Sequence, residues 1–190
     1  MNKIATHDSG TGEKSKNFLF KLFEPFAKTQ TKTIIEQWEV GVRYFDIRID
    51  TDLTICHGLW KSNKCLYDVL DDLNYLAQKD TNNKTYYQIT FERNSKDIDE
   101  YVGQINTIVE FYEHITCTSV NRKLPVWTTL IKRTSLICAN DYVSVPTPKQ
   151  YFTLALKDWK RYIPIPKVLH KLYKRKHEFN NKYFVMVDFI

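Results

Sequence analysis

Hydrophobic residues recur along the chain with two different spacings. Short runs rich in β-branched and aromatic residues predict strands, and longer stretches with apolar residues every three or four positions predict helices. The predicted strands are 2–6, 42–50, 53–57, 85–91, 134–139 and 183–189, with a weaker one near 142–145, and the predicted helices are 16–28, 31–40, 65–79, 97–115 and pieces within 149–177. This alternation predicts an α/β fold with a largely parallel sheet or barrel, in which ligands bind at the carboxyl ends of the strands.

The strand predicted within GVRYFDIRID, Gly41 to Asp50, has two faces of opposite character. Successive side chains of a strand point to opposite sides, so Asp46 and Arg48 share one face and the apolar residues between them share the other. A solvated outer face that carries an ion pair explains this pattern, and so does a polar face turned toward a ligand. The stretch by itself leaves both interpretations open.

The composition indicates a single packed domain over residues 1–190. The chain is 43% hydrophobic and 14% aromatic, which favours a packed globule over disorder. It lacks the apolar run of about 18 residues that spans a membrane, and its first residues, MNKIATHDSG, lack the apolar core of a signal peptide. We therefore expect a cytoplasmic protein, and peripheral association with a membrane stays open.

Cysteine usage and charge narrow the function classes. Cys56, Cys65, Cys117 and Cys138 have irregular spacings and apolar surroundings, so reduced core thiols are favoured over disulfides or a zinc site. The net charge of +6 resides in residues 161–177, RYIPIPKVLHKLYKRKH, which contain six Lys and Arg and no acid. That segment fits a helix packed on the core, and it also fits contact with nucleic acid or an anionic membrane.

Polar residues that can carry chemistry stand at the predicted strand ends. One strand runs into THDSGTG, another ends in CHG, and the last, YFVMVDFI, contains a single acid. The candidate catalytic residues are His7, Asp8, Asp46, Arg48, His57 and Asp188. Each has a structural explanation by itself, but together they are the parts needed to attack a phosphodiester without a metal. A neutral imidazole takes a proton from the nucleophile, a protonated imidazole gives one to the leaving group, and the guanidinium stabilises charge on the phosphate oxygens.

The same residues carry a resemblance to a known family. The motifs THDSGT, TIIEQWEVGVRYFDIRI, CHG and VMVDFI, in this order, resemble the X-domain of phosphatidylinositol-specific phospholipase C. The resemblance is strong over residues 1–80 and returns at 183–190. It implies a TIM-type (β/α) barrel, abbreviated or partly irregular because the chain is short for that fold. It also implies that Asp46 and Arg48 point into the mouth of the barrel.

The resemblance implies a role for each candidate residue. His7 matches the general base that takes the proton of the inositol 2-hydroxyl, with Asp188 as its partner. His57 matches the general acid that protonates the diacylglycerol oxygen, with Asp8 as its partner, and Arg48 matches the phosphate-binding arginine of the bacterial enzymes. The implied reaction converts phosphatidylinositol, or a related phosphodiester lipid, to diacylglycerol and a cyclic inositol phosphate.

Metal use and head-group recognition follow from the same comparison. Arg48 stands where calcium-dependent members carry an acid, and its fixed charge beside Asp46 predicts that neither a metal nor another cofactor is needed. The strands that bind the inositol ring in bacterial members read YYQITFERN and SLICANDY here. They offer Glu92, Arg93 and Asn140 as substrate-binding residues where those members use a lysine and an arginine.

Two other function classes stay open. A non-catalytic X-domain relative would keep the pocket and bind anionic phospholipid head groups, but the presence of both histidines and their acids favours catalysis. A nucleic-acid-binding protein built on 161–177 is disfavoured because the segment lacks a groove-reading or RNA-stacking motif. The expected partner is therefore a phospholipid substrate at a membrane surface.

Aromatic and aliphatic residues near the two histidine loops raise the question of membrane insertion. Phe18, Leu19, Leu22 and Phe23 have the spacing of a buried helical stripe, and we expect them to face the core. For Trp60, which follows the CHG motif, burial and insertion both stay open.

Overall fold

The computed structural model describes residues 4–92, 98–122, 137–141 and 184–187, over which strands and helices alternate as predicted. The strands are β1 Ile4–Thr6, β2 Val42–Ile49, β3 Thr54–His57, β4 Trp60–Cys65, β5 Thr85–Phe91, β6 Ile115–Arg122, β7 Ile137–Asp141 and β8 Phe184–Val187. The helices are α1 Phe18–Lys21, α2 Glu24–Ala27, α3 Ile34–Glu39, α4 Leu66–Lys79 and α5 Ile98–Val109, with a 3-10 turn at Ser9–Gly12. The strand predicted near 142–145, the helical pieces within 149–177 and the basic segment 161–177 lie outside the described residues.

Six strands form a continuous parallel arc in the order β7-β8-β1-β2-β5-β6. The last strand, β8, pairs with the first, β1, so that Thr6 lies opposite Val187. Strands β2 and β5 pair from Tyr44 opposite Tyr86 to Ile49 opposite Phe91. The carboxyl ends of β1, β2 and β5 therefore lie side by side at one edge of the sheet. The described residues contain this arc but no pairing of β6 with β7.

An antiparallel hairpin continues from the end of β2. Ile49 pairs with Ile55, and His57 pairs with Trp60 across a tight turn in which Gly58 has a φ of +58°. Glycine adopts this left-handed conformation without steric cost. The sequence predicts β3 but not β4, because the Lys, Ser and Asn residues of WKSNKC have low strand propensity and only the pairing with β3 makes them a strand.

Strand β6 is a second difference from the prediction. The predicted helix 97–115 ends at Val109 as α5, and ITCTSVNR, Ile115–Arg122, forms a strand paired with β5. These residues are rich in β-branched side chains, which favour a strand once a neighbouring edge is available. The helical spacing continued past the true end of α5 only because apolar residues also occur in the connection.

Both faces of β2 are buried. Its outer face packs against residues of α3 and α4 through Phe45, Ile47 and Ile49. On its inner face Tyr44 packs with Phe184 and Met186 of β8. The interpretation of Asp46 and Arg48 as a solvated ion pair is therefore wrong, because the inner face of β2 is enclosed.

The segment around α1 contradicts the expectation of a buried stripe. Phe18, Leu19, Leu22 and Phe23 are 73%, 66%, 57% and 37% exposed. Helix α1 has only four residues, so apolar residues spaced for a longer helix have no continuous face to turn toward the core. Trp60, in contrast, is fully buried and donates from Nε1 to the Ser15 hydroxyl at 2.9 Å, which excludes it from membrane contact.

Two smaller expectations are also tested. Cys56, Cys65 and Cys117 are free thiols, as predicted, and the side chain of Cys138 lies outside the described residues. Within the described part of the chain, no helix combines the length and the apolar character needed to cross a membrane.

Candidate active site

The carboxyl ends of β1, β2 and β5 and the β3–β4 hairpin bring charged side chains together. Those from the three parallel strands are at most 5% exposed, and the imidazole of the hairpin is 13% exposed. The set comprises His7, Asp8, Asp46, Arg48, His57 and Glu92. All were predicted as site residues, Glu92 through the family resemblance and the others from their positions at or near strand ends.

Arg48 lies at the centre of this cluster. Its Nη2 is 2.8 Å from Nε2 of His7, and its Nη1 is 3.3 Å from Oε2 of Glu92. Its Nε contacts Oδ1 of Asp8 and lies 3.4 Å from Oδ2 of Asp46. One guanidinium thus faces three buried carboxylates, and these contacts offset the cost of removing the charges from water.

Asp8 links the two histidines. Its Oδ2 lies 3.3 Å from Nε2 of His7 and 3.3 Å from Nε2 of His57. These contacts lack hydrogen-bond geometry. The backbone of Asp8 is left-handed, with φ 45° and ψ 50°, and its N–H donates to Oδ2 of Asp46 at 3.2 Å. A non-glycine residue held in this conformation is typical of functional sites.

The partners of the two imidazoles assign one nitrogen of each ring a role as donor or acceptor. Nδ1 of His57 lies 2.5 Å from the Ala27 carbonyl oxygen, which can only accept, so Nδ1 carries a proton. Arg48 can only donate, so Nε2 of His7 is the acceptor and its proton is on Nδ1. Nε2 of His7 is therefore placed to accept a proton, and the Ala27 carbonyl oxygen fixes the orientation of the His57 ring.

The loop after β1 is fixed by contacts that the sequence did not reveal. The hydroxyl of Thr29 and the side-chain amide of Gln30 both donate to the His7 carbonyl oxygen, at 3.0 and 3.1 Å. A Cβ on Gly12 would lie 1.7 Å from the Lys32 carbonyl oxygen. Gly12 thus allows close packing of the protein's own backbone.

Asp46 is held as a carboxylate by a buried hydrogen-bond chain. Gln88 donates from Nε2 to Oδ1 of Asp46 at 2.9 Å, and the Tyr44 hydroxyl donates to Oε1 of Gln88 at 3.2 Å. Burial by itself raises the pKa of Asp46, but Arg48, His7, Gln88 and the Asp8 amide together bring that pKa below its ordinary value. Gln88 was not among the predicted site residues, although alternation along QITFE places it on the same face as Glu92.

Glu92 joins the hairpin to Arg48. Its Oε1 accepts from the Gly58 N–H at 3.0 Å, while its Oε2 faces Arg48. The loop that carries His57 and the guanidinium are therefore held by one carboxylate. A direct contact of Glu92 with substrate stays a prediction.

For three further predicted site residues, the side chain is not among those that the structure describes. Asp188 and Arg93 lie outside the described residues. Asn140 belongs to β7, where its backbone lies opposite Met186 of β8, and its side chain is not among those described.

The described residues also contain one group with the composition of a metal site. Ligand atoms of His7, Asp8 and Asp46 lie within 4.8 Å of one another. Arg48 contacts all three of these side chains, so its guanidinium supplies positive charge where a metal ion would supply it. The residues present therefore fit a guanidinium-based centre better than a divalent cation.

The chain was compared with known proteins in sequence and in structure. No family model matches it. Over 122 residues, 63% of this chain, it is 31% identical to the 1-phosphatidylinositol phosphodiesterase of Listeria monocytogenes, and the match spans 38% of that protein. Its structure is similar to the phosphatidylinositol-specific phospholipase C from Listeria monocytogenes, with a TM-score of 0.64 and 17% identity over 99% of this chain and 88% of that one.

A second solved structure is more distant. A variant of the phosphatidylinositol-specific phospholipase C from Staphylococcus aureus has a TM-score of 0.46 and 19% identity, and the match covers 63% of this chain and 47% of that one. The Listeria structure shows the fold of the chain, and the sequence match independently relates it to the same group of proteins.

Proposed function

We propose that this chain, a relative of the bacterial phosphatidylinositol-specific phospholipases C, cleaves phosphatidylinositol or a related phosphodiester lipid. The observation that carries the proposal is the pairing of His7 and His57 across Asp8, with Arg48 in the centre. Such a set supports phosphoryl transfer by acid and base catalysis. The enzyme class is that of a phosphoric diester hydrolase or phosphorus-oxygen lyase.

His7 acts as the general base in this proposal. Its Nε2, held as an acceptor by Arg48, takes the proton of the inositol 2-hydroxyl, and the 2-oxygen then attacks the phosphorus. A phosphate anion competes with His7 for the N–H groups of Arg48. Substrate binding therefore draws the guanidinium toward the non-bridging oxygens and frees the base. Asp188, the predicted partner of His7, keeps that role as a prediction.

His57 acts as the general acid. As the bond between phosphorus and the diacylglycerol oxygen breaks, the proton on Nε2 of His57 passes to that oxygen. Asp8 faces the same nitrogen at 3.3 Å. The products are diacylglycerol and a cyclic inositol phosphate, and the Ala27 carbonyl keeps the ring oriented during the transfer.

No metal takes part in the proposed reaction. Arg48 stabilises the charge that develops on the phosphate oxygens, and its planar fork offers two parallel donors. Asp46 and Glu92 hold that fork in place from either side. The enzyme is therefore expected to work in the presence of a chelator.

The exposed apolar residues near α1 give the enzyme a surface for docking on a bilayer. We call Phe18, Leu19, Leu22 and Phe23, together with Leu59, the apolar rim. Leu59 is 63% exposed at the tip of the hairpin that carries His57. Helix α2 follows the rim directly and ends at Ala27, whose carbonyl holds His57. The apolar rim is thus connected to His57, the general acid, through both α2 and the hairpin. An apolar surface at this place suits a substrate that resides in a membrane.

The wider predictions are consistent with this function. The parallel arc, with its last strand beside its first, supports a TIM-type (β/α) barrel, abbreviated or partly irregular. A single X-like catalytic domain over residues 1–190 stays a prediction, and so does a cytoplasmic location with peripheral membrane contact.

Leaving-group chemistry tests the roles of the two histidines. His57→Ala should lower the rate on phosphatidylinositol by about 10² to 10⁴, the contribution of a positioned acid. It should cost much less on an inositol phosphodiester of p-nitrophenol, because that leaving group departs without a proton. His7→Ala should be equally damaging on both substrates. A His57→Ala enzyme that is equally slow on both would contradict the assignment, and wild-type protein inactive on both would leave lipid head-group binding as the function.

A further inference from the structure

Three polar residues alternate along the inner face of β5 and the position that follows it, and two of them are used by the site. Gln88 donates to Asp46, and Glu92 contacts both Arg48 and the Gly58 N–H. Thr90 stands between them. Thr90 lies directly opposite Arg48 of the neighbouring strand β2.

Thr90 differs from its neighbours in hydrogen bonding. Its side chain is 1% exposed, and among the described residues its hydroxyl has no hydrogen-bond partner. Buried hydroxyl groups in folded proteins nearly always have a partner, because leaving one unpaired is unfavourable. An unpaired hydroxyl on the same face as Arg48 and Glu92 is therefore available to a ligand held by Arg48.

We infer that the Thr90 hydroxyl is a specificity-determining contact for a hydroxyl group on the sugar-alcohol ring of the head group. The inference rests on the proposed function and deepens it, since it needs Arg48 to hold the phosphate. A threonine hydroxyl both donates and accepts, as a ring hydroxyl does, so the two make a neutral pair. Glu92 and Asp46 on either side make this position unsuitable for a second anionic group.

Binding measurements separate this contact from catalysis. Wild-type protein, Thr90→Val and Thr90→Ser are titrated calorimetrically with inositol 1-phosphate and with inorganic phosphate. Valine has the shape of threonine without the hydroxyl, and serine keeps the hydroxyl. Thr90→Val should bind inositol 1-phosphate about 3- to 15-fold more weakly, the effect of one neutral hydrogen bond. It should bind inorganic phosphate as the wild type does, and Thr90→Ser should recover most of the affinity for the ring.

Thr85→Val is the matched control. Thr85 begins the same strand and is equally buried, but its hydroxyl accepts from Nε1 of Trp38 at 3.3 Å, away from the site. Loss of the Thr85 hydroxyl should leave the affinities for inositol 1-phosphate and for inorganic phosphate unchanged. If Thr90→Val binds both probes like the wild type, the inference is overturned while the proposed function stands. If wild-type protein binds neither probe, the phosphate site fails, and with it the proposed function and the inference.

Discussion

At the scale of single residues, Arg48 contacts four of the other five side chains of the site, and His57 is the one for which no such contact is described. It donates to His7, contacts Asp8 and Asp46, and is held by Glu92. A lysine would keep the charge, but a compact ammonium cannot make these contacts and a bidentate contact with phosphate at once. The shape of the side chain therefore matters as much as its charge.

Arg48→Lys is expected to lower kcat by about 10² to 10³, comparable to the loss of a transition-state donor. Arg43→Lys is the control, because Arg43 on the same strand pairs with Asp80 and stacks on Trp38 outside the site. Steady-state kinetics on a soluble inositol phosphodiester should show normal activity for the control. Near-normal kcat in Arg48→Lys would contradict the role given to the guanidinium.

The site residues that could be read from the sequence are those whose chemistry is unusual for their position. Charged residues within apolar strands, such as Asp46 and Arg48, stand out because burying a charge is costly, whereas Glu92 was predicted through the family resemblance. Gln88 does not stand out, because an amide is common in strands and its value comes from what lies beside it. Its partners, Asp46 and Tyr44, are distant in sequence, and only the pairing of β2 with β5 brings them together.

At the scale of elements, the loop that follows β1 packs closely against the backbone at the start of α3. The missing side chain of Gly12 lets the loop lie against the Lys32 carbonyl. Glu13, buried beside it, accepts from the Ile34 N–H at the start of α3 at 2.9 Å. These contacts fix the loop that begins with His7 and Asp8.

Gly12→Ala is expected to destabilise the protein by about 1–3 kcal/mol, as other overpacked sites do. Gly103→Ala is its matched control: Gly103 lies within α5 with nothing near its missing Cβ. Alanine there should stabilise the protein by about 0.5–1 kcal/mol through helix propensity. Urea unfolding measures both, and equal stability of the two variants would argue against the close packing of the loop.

The apolar rim is the element that the sequence pattern misjudged. Helical spacing indicated burial, yet α1 ends after four residues and leaves its apolar side chains in solvent. Element length depends on the contacts that a helix makes with the rest of the fold, and spacing alone does not reveal it. The same reason explains why β4 and β6 were missed, since each becomes a strand through its pairing.

Replacing Phe18 and Leu22 by Ser is expected to lower activity on phosphatidylinositol vesicles about tenfold or more, since burying each side chain is worth about 1.5–3 kcal/mol. Activity on a soluble inositol phosphodiester should be unchanged. Phe111→Ser is the control, because Phe111 is 77% exposed and lies beyond α5. Vesicle activity equal to wild type in the double variant would rule out the rim as the docking surface.

At the scale of the whole molecule, the site is a consequence of the arc of parallel strands. Strands β1, β2 and β5 are separated in sequence by helices, but their parallel pairing aligns their carboxyl ends. The alternation of elements predicted this edge, and the family resemblance is confirmed by the comparisons. The pairing of individual strands and the conformation of the hairpin that carries His57 could not be predicted from the sequence. Both depend on contacts between residues that are far apart in the chain.

Phosphorus NMR of the reaction tests the central claim most directly. Purified protein is mixed with phosphatidylinositol in detergent micelles and a chelator, beside a His7→Ala control of the same chain. A cyclic phosphodiester signal should appear with the unmutated protein and be lacking in the control, which would establish the reaction, its independence of metal and the base together. A signal that needs added calcium, or one that persists in His7→Ala, would contradict the account.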